Sequence, residues 1–275
     1  TVIELLPLSH FGGSRGWGYD GVLPFAPDAT YGNVEEVKAF VDAAHHLGLS
    51  VVLDIVLNHF GPQGNYLPLL APDFFHADRL TPWGAGIAYE HAPVRDYMLQ
   101  APLYWLQEYH FDGLRFDAID QIKDASPKHI LVEIAERIRA AIPQRSLHLT
   151  TEDNRNVIFL HPRAADGSFP LFNGEWNDDF HNAAHVLATG ETHGYYQDFA
   201  EQPEKLLART LAEGFAWQGE FSPHSGEARG VKSSGQPPTT FVNFIQNHDQ
   251  TGNRAHGERL LSLAGVERTQ ALLAT

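Results

Sequence analysis

Short apolar runs alternate along this chain with amphipathic stretches of helical spacing, and that alternation limits the fold more than any other feature. The runs VIELLPL (2–8), SVVLDIVLN (50–58), FDGLRFDA (111–118), LHLTTEDN (147–154), PLFNGEW (170–176) and TFVNFIQNHD (240–249) have the length and residue types of strands. Between them NVEEVKAFVDAAHHLG (33–48), VRDYMLQAPLYWLQEY (94–109) and SPKHILVEIAERIRAAI (126–142) predict helices, as do PEKLLARTLAEG (203–214) and GERLLSLAGVERTQALLA (257–274). Ser126 as cap and Pro127 at the first helical position predict where the third helix begins, and Gly48 predicts where the first one ends. Strands alternating with helices predict a parallel sheet covered by helices.

Polar residues gather at the C-terminal ends of the predicted strands. They are Asp54, Asn58 and His59; Arg115 and Asp117; Glu152 and Asp153; and Asn247, His248 and Asp249. A βα barrel carries its active site at that end. A doubly wound sheet binds ligands there too, but the glycines of FGGSRGWG (11–18) lack the dinucleotide spacing and the helix that should follow. The expected fold is therefore α/β, a (β/α)8 TIM barrel. No repeat and no linker marks a second domain, because the turn-rich SSGQPP (233–238) leads directly into a strand. Residues 1–275 are expected to form a single catalytic domain.

Composition narrows the chemistry. With 19 basic and 34 acidic residues the chain carries a formal charge of −15, which disfavours phosphate backbones and anionic membranes and suits a neutral substrate such as a sugar. The chain has no cysteine, which excludes disulfides, thiolate metal sites and cysteine nucleophiles together. No apolar run approaches the ~20 residues of a membrane span, and no signal peptide is visible; the expected location is cytoplasmic.

Within HFDGLRFDAID (110–120) strand parity separates the aspartates. Arg115 and Asp117 share a face, Asp112 takes the opposite one, and Asp120 falls past the strand in a structural position. The Arg115–Asp117 pair reads equally as a structural ion pair or as a catalytic carboxylate with its guanidinium. Glu152 is a poor helix cap and so is freer for chemistry, whereas Asp153 or Asn154 could cap the next element. Asp249 adds a third carboxylate. Three carboxylates at one barrel mouth repel each other, so at least one should hold its proton, as a glycosidase acid must. A two-metal phosphoesterase is the competing reading of DIVLNH (54–59) and NHD (247–249). It lacks any Gly-Asp dipeptide, and its one D-x-H, Asp179-Phe-His181, stands without partners. Among aromatic and basic residues, His45 and His46 suit a helix C-terminus, His129 reads as a solvated helix residue, and Trp105 reads as core. Trp17 and Trp83, in glycine-containing loops, are the stacking candidates.

Four motifs in order resemble the α-amylase superfamily, glycoside hydrolase family 13. They are D-x-x-x-N-H (Asp54, Asn58, His59), G-x-R-x-D (Gly113, Arg115, Asp117), the strand-end Glu152, and N-H-D (Asn247, His248, Asp249). The resemblance covers the whole chain. It extends through WGYDGVLPFAPDATYG (17–32), NHFGPQGNYL (58–67) and TPWG (81–84) to the branch holding branching enzymes and trehalose-forming hydrolases. WNDDFHNAAHVLATGETHGYYQDF (176–199) and FVNFIQNHDQTGNRAHGERL (241–260) resemble the trehalose-forming side.

The resemblance implies hydrolysis with retention on maltooligosyltrehalose or a related α-glucan oligosaccharide, with no cofactor. It implies Asp117 as nucleophile, Glu152 as acid and then base, and Asp249 as the group that grips sugar hydroxyls. Tyr19, His59, Arg115 and His248 would line the cleavage subsite, with Asp54, Asn58, Asp153 and Arg254 as further substrate-binding positions. Retention implies nucleophile and acid carboxyls ~5–5.5 Å apart. Asp153-Asn154 after the glutamate departs from the family's usual run. Asn58 could contribute a calcium ligand, but no convincing set accompanies it, and no metal is expected.

The runs match the family's second to seventh barrel strands, so the chain is expected to be an excerpt, truncated at both ends and insoluble or inactive alone. Branching and debranching enzymes are the alternatives within the superfamily. A non-catalytic α-glucan-binding barrel is the alternative outside enzymes, though all three acids are present.

Overall fold

The computed structural model describes residues 1–275. Chain contacts divide them into two compact, interleaved units: Thr1–Glu152 with Leu160–Asn173, and Asp153–Phe159 with Gly174–Thr275.

In the first unit four parallel strands lie side by side in chain order: Val2–Leu5, Ser50–Ile55, Gly113–Phe116 and His148–Thr151. Asp54 pairs in register with Arg115, and Arg115 with Thr150, so the polar strand ends are brought level by the backbone ladder itself. The two middle strands are buried on both faces, as parallel sheet requires, and read as near-continuous apolar runs.

The connecting helices follow their sequence signals in two cases out of three. Val34–His46 is capped by Asn33 and Glu36 in a reciprocal box and ends at Gly48, whose φ of +70° only glycine adopts freely. His45 and His46 occupy its last turn as expected. Ala92–Glu108 buries Val94, Met98, Leu99, Trp105 and Leu106, and the Trp105 indole donates to the Pro24 carbonyl at 2.7 Å.

The third helix departs from its prediction. It spans Ile130–Ala141, and neither Ser126 nor Pro127 begins it. The Asp124 carboxylate takes the Ser126 and Ile130 amides (2.9 and 2.6 Å), while Arg95 bonds Asp124, the Ser126 hydroxyl and the Lys128 carbonyl. Residues 124–129 are thereby fixed as a turn before the helix. His129 is correspondingly its N-cap, accepting the Leu131 amide, and not a solvated helix residue.

Two hairpins in this unit went unforeseen, Ser9–Phe11 with Gly21–Pro27 and Phe75–Thr81 with Gly84–Ile87. Their pairing is broken by register shifts, which erases the period-two pattern that would betray them.

The second unit has two parallel strands, Gly174–Trp176 and Phe241–Val242, with Glu175 opposite Phe241. The run TFVNFIQNHD is strand only at its start, because Asn247 caps a short helix, His248–Gly252. The predicted terminal helix is broken by Gly265 at φ +82° into Leu260–Ala264 and Val266–Leu273. Pro203–Glu213 is helical as predicted. The Asp178–Thr189 helix was not predicted, although its signals are ordinary: Asn177 as cap, Asp178 and Asp179 in the first turn, Gly190 left-handed at the end. It is buried almost all round, so its sequence lacks a polar face to reveal helical periodicity.

Candidate active site

The site in the first unit is built around Arg115. Gly113 starts its strand because a Cβ there would lie 2.1 Å from the His148 carbonyl oxygen of the neighbouring strand. Two residues on, the Arg115 side chain is 1% exposed and meets three carboxylates. It bonds Asp54 at 2.7 Å, Asp117 at 3.0 Å and Glu152 at 2.7 Å. A buried cation is tolerable only when paired and hydrogen-bonded in this way.

The three carboxylates differ in access. Asp54 is sealed at 2% exposure, whereas Asp117 and Glu152 keep 12% and 18%, so a substrate can reach the latter two. The Tyr19 hydroxyl donates to Asp54 Oδ2 at 2.6 Å. Asn58 Nδ2 donates to both the carbonyl and Oδ2 of Asp117 (2.9 and 3.0 Å). His59 binds the Tyr19 carbonyl through Nε2 at 2.8 Å and Asn58 Oδ1 through Nδ1. Trp83, at the tip of the second hairpin, stacks on the His59 ring with centroids 4.1 Å apart and planes 8° from parallel, and remains 38% exposed. Trp17 is also exposed, and Trp105 is core.

Ala118 follows Asp117 with φ +40° and ψ +54°, a left-handed conformation that costs a non-glycine residue about 1–2 kcal/mol. The turn directs its amide to Glu152 Oε2 at 2.9 Å, while the Ile119 amide takes the Glu152 carbonyl at 3.0 Å. The position after the strand-end aspartate thus holds the glutamate, a role that residue type alone does not announce.

Burial raises Glu152 above the ordinary carboxyl range; Arg115 opposes this, and the neighbouring Asp117, to which Glu152 also hydrogen-bonds, adds to it. Burial likewise pushes Asp54 up to about 8, with Arg115 and Tyr19 opposing and Asp117 reinforcing. Burial and Asp54 raise the Tyr19 phenol, which therefore stays a donor. The arrangement sets Glu152, whose proton is held more tightly than usual, beside Asp117, which accepts one N–H from Asn58 and one from Arg115.

Asp112 lies outside this cluster, as strand parity predicts, and Asp120 lies past the strand end. Asp112 takes the Val51 amide and His45 at the other end of the strands. Asp120 lies in the single turn Ile119–Gln121.

The other candidates belong to the second unit. Asp153 is buried with its carboxylate bound to the Arg155 amide and guanidinium. Asn247 Oδ1 accepts the Asp249 amide at 2.9 Å, and His248 Nε2 lies 3.6 Å from Asp249 Oδ1. Arg254 pairs with Glu191 through a bidentate contact, both bonds 2.9 Å. The D-x-H pair is equally committed: Asp179 takes the Ala216 and Trp217 amides, and His181 the Ile245 carbonyl and Tyr196.

No family model matches the chain. Its curated relatives include malto-oligosyltrehalose trehalohydrolases from Deinococcus radiodurans, 44% identical over 97% of this chain and 43% of the relative, and from Saccharolobus solfataricus, 37% identical over 97% and 47%. A branching enzyme from Dechloromonas aromatica is 38% identical over 47% of the chain and 22% of the relative. A crystal structure from Salmonella typhimurium, provisionally named an alpha amylase, superposes with a TM-score of 0.98 at 70% identity, over 100% of this chain and 47% of that one. The chain thus spans under half the length of these relatives. Its fold is that of an α-amylase (β/α)8 barrel, of which it forms a part. From the four motifs, the carboxylate cluster on Arg115 and these relatives together, the chain belongs to the α-amylase superfamily and is like the malto-oligosyltrehalose trehalohydrolases within it.

Proposed function

We propose that residues 1–275 are catalytic barrel sequence of an enzyme that hydrolyses the α-1,4 bond next to the terminal trehalose unit of maltooligosyltrehalose, releasing trehalose. The observation that carries this reading is the sharing of one buried guanidinium by Asp117 and Glu152, the two carboxyls of the cluster that solvent reaches. Relatives that bear the trehalohydrolase name at 37–44% identity supply the substrate class.

In this reading Asp117 attacks the anomeric carbon while Glu152 gives its proton to the departing glycosidic oxygen. The bond to trehalose breaks and a glycosyl ester on Asp117 forms. Glu152, now a carboxylate, takes a proton from water, whose oxygen replaces Asp117 and frees the shortened maltooligosaccharide. The contact of both carboxyls with one guanidinium, at 3.0 and 2.7 Å, favours this double displacement, since inversion leaves a gap of ~6.5–9.5 Å for the water. Asn58 aims Asp117, and Ala118 aims Glu152. Asp249 and His248 would hold hydroxyls of the distorted ring. Tyr19, His59 and the half-exposed Trp83 would form the wall against which the sugar packs.

The partial match to a branching enzyme keeps one second reading, transfer of the glycosyl group to a sugar hydroxyl instead of water. Incubating the full-length protein with maltooligosyltrehalose separates them: trehalose as product supports the hydrolase, and new α-1,6 branches without trehalose would displace it.

A further inference from the structure

Asp249 sits on a turn whose two ends are gripped by one helix of the second unit. Upstream, His181 of Asp178–Thr189 binds the Ile245 carbonyl through Nδ1 at 2.9 Å. That contact makes Nδ1 the protonated nitrogen, so Nε2 accepts the Tyr196 hydroxyl at 3.0 Å. Downstream, His185 lies one turn further along the same helix face and meets Glu191 Oε2 at 2.8 Å. Glu191 in turn holds Arg254 through two bonds of 2.9 Å each. Tyr196 ties the two grips together, since its ring also stacks on His185 with centroids 4.3 Å apart and planes 9° from parallel.

Between the grips the chain has local order of its own. Asn247 and Gln250 form a reciprocal capping box, and the Asn247 side chain fixes the Asp249 amide. A five-residue helix of this kind is marginal alone, so its position depends on what anchors its flanks. Bidentate carboxylate–guanidinium pairs fix orientation as well as distance. Burial keeps His181 neutral, and the pair beside it is only a quarter exposed or less.

We propose that Glu191, through Arg254, and His181, through the Ile245 carbonyl, are positioning residues that set the reach of Asp249 toward the substrate. This rests on the proposed function for the role of Asp249, but the anchoring itself does not. Glu191 does not stand out in the sequence, His181 is read there only as part of an unpartnered D-x-H, and Arg254 acts here as an anchor.

The test uses the full-length protein and the variants Glu191→Gln, Arg254→Lys and Asp249→Asn, with Glu191→Gln also made in the Asp249→Asn background. Hydrogen exchange should show loss of amide protection confined to residues 245–257 in Glu191→Gln and Arg254→Lys; unchanged protection there overturns the anchoring. On maltooligosyltrehalose, Glu191→Gln should lower kcat by about tenfold, the scale expected of a slightly misplaced group, with Tm little changed. In the Asp249→Asn background the same change should cost almost nothing further, because the residue it positions is already disabled. Fully additive losses would mean that Glu191 acts elsewhere and would overturn the proposal. If Glu191→Gln unfolds, Arg254→Lys, which keeps the charge and loses the fork, decides by the same readouts. A wild-type protein that releases no trehalose would defeat the functional reading while leaving the exchange result to decide the anchoring.

Discussion

Arg115 bonds three carboxylates that are not equivalent, and their differences in access support the proposed division of roles. Glu152 holds its proton above the usual carboxyl range and is reachable, which fits the donor of the proposed reaction; Asp117 is reachable and aimed by Asn58, which fits its attacking group. Replacing Glu152 with Gln should lower kcat by about 10²–10⁴-fold, the usual contribution of a general acid, with substrate binding largely kept. Asp117→Asn should abolish the covalent step, and unchanged turnover in either variant would refute these roles. The raised Glu152 value also fixes a sign. The proposed role needs this group protonated, so the alkaline limb of kcat should lie above the ordinary 4.5 of a glutamate, with activity falling as pH rises through it. Asp54 has a stability consequence instead. Folded Asp54 keeps its proton up to about pH 8, against 3.8 for a free carboxyl, so its contribution is fully present below pH 3.8 and is lost as pH rises toward 8. Asp54→Asn should therefore flatten the decline of Tm over that window; an unaltered slope would show that Asp54 is ionised throughout.

At the scale of elements, the ladder between Gly113–Phe116 and His148–Thr151 levels Arg115 with Thr150 and brings Glu152 beside Asp117. Gly113→Ala would press a methyl against the His148 carbonyl and should cost about 1–3 kcal/mol in denaturant unfolding, with activity falling alongside. A loss below measurement error would show that the strands can part freely. These strands were legible in the sequence because burial on both faces writes a continuous apolar run, and parity within FDGLRFDA told Asp117 from Asp112 without a structure. Other features were not legible. Ser126 and Pro127 look like a helix start, but Asp124 and Arg95, distant or off-pattern, hold that stretch as a turn. The strain at Ala118 and the anchoring by Glu191 depend on partners brought close only by folding. Trp83 was a candidate from its loop, whereas its stacking on His59 needed the irregular hairpin that period-two reading misses.

For the molecule as a whole, a charge of −15 and a cluster of acids around one arginine suit a neutral oligosaccharide. No helix is long and apolar enough to cross a membrane. The four motifs carried the family because they place definite residue types at fixed spacing in one order along the chain. They carried the substrate less far, since the carboxylate pair is shared by hydrolases and glycosyl-transferring relatives alike. The direct measurement is therefore product analysis by proton NMR of the full-length protein acting on maltooligosyltrehalose. Release of trehalose is expected and, at first, the α-anomer at the new reducing end of the shortened chain. Glucose or maltose alone, or a β-anomer formed first, would contradict the proposed function.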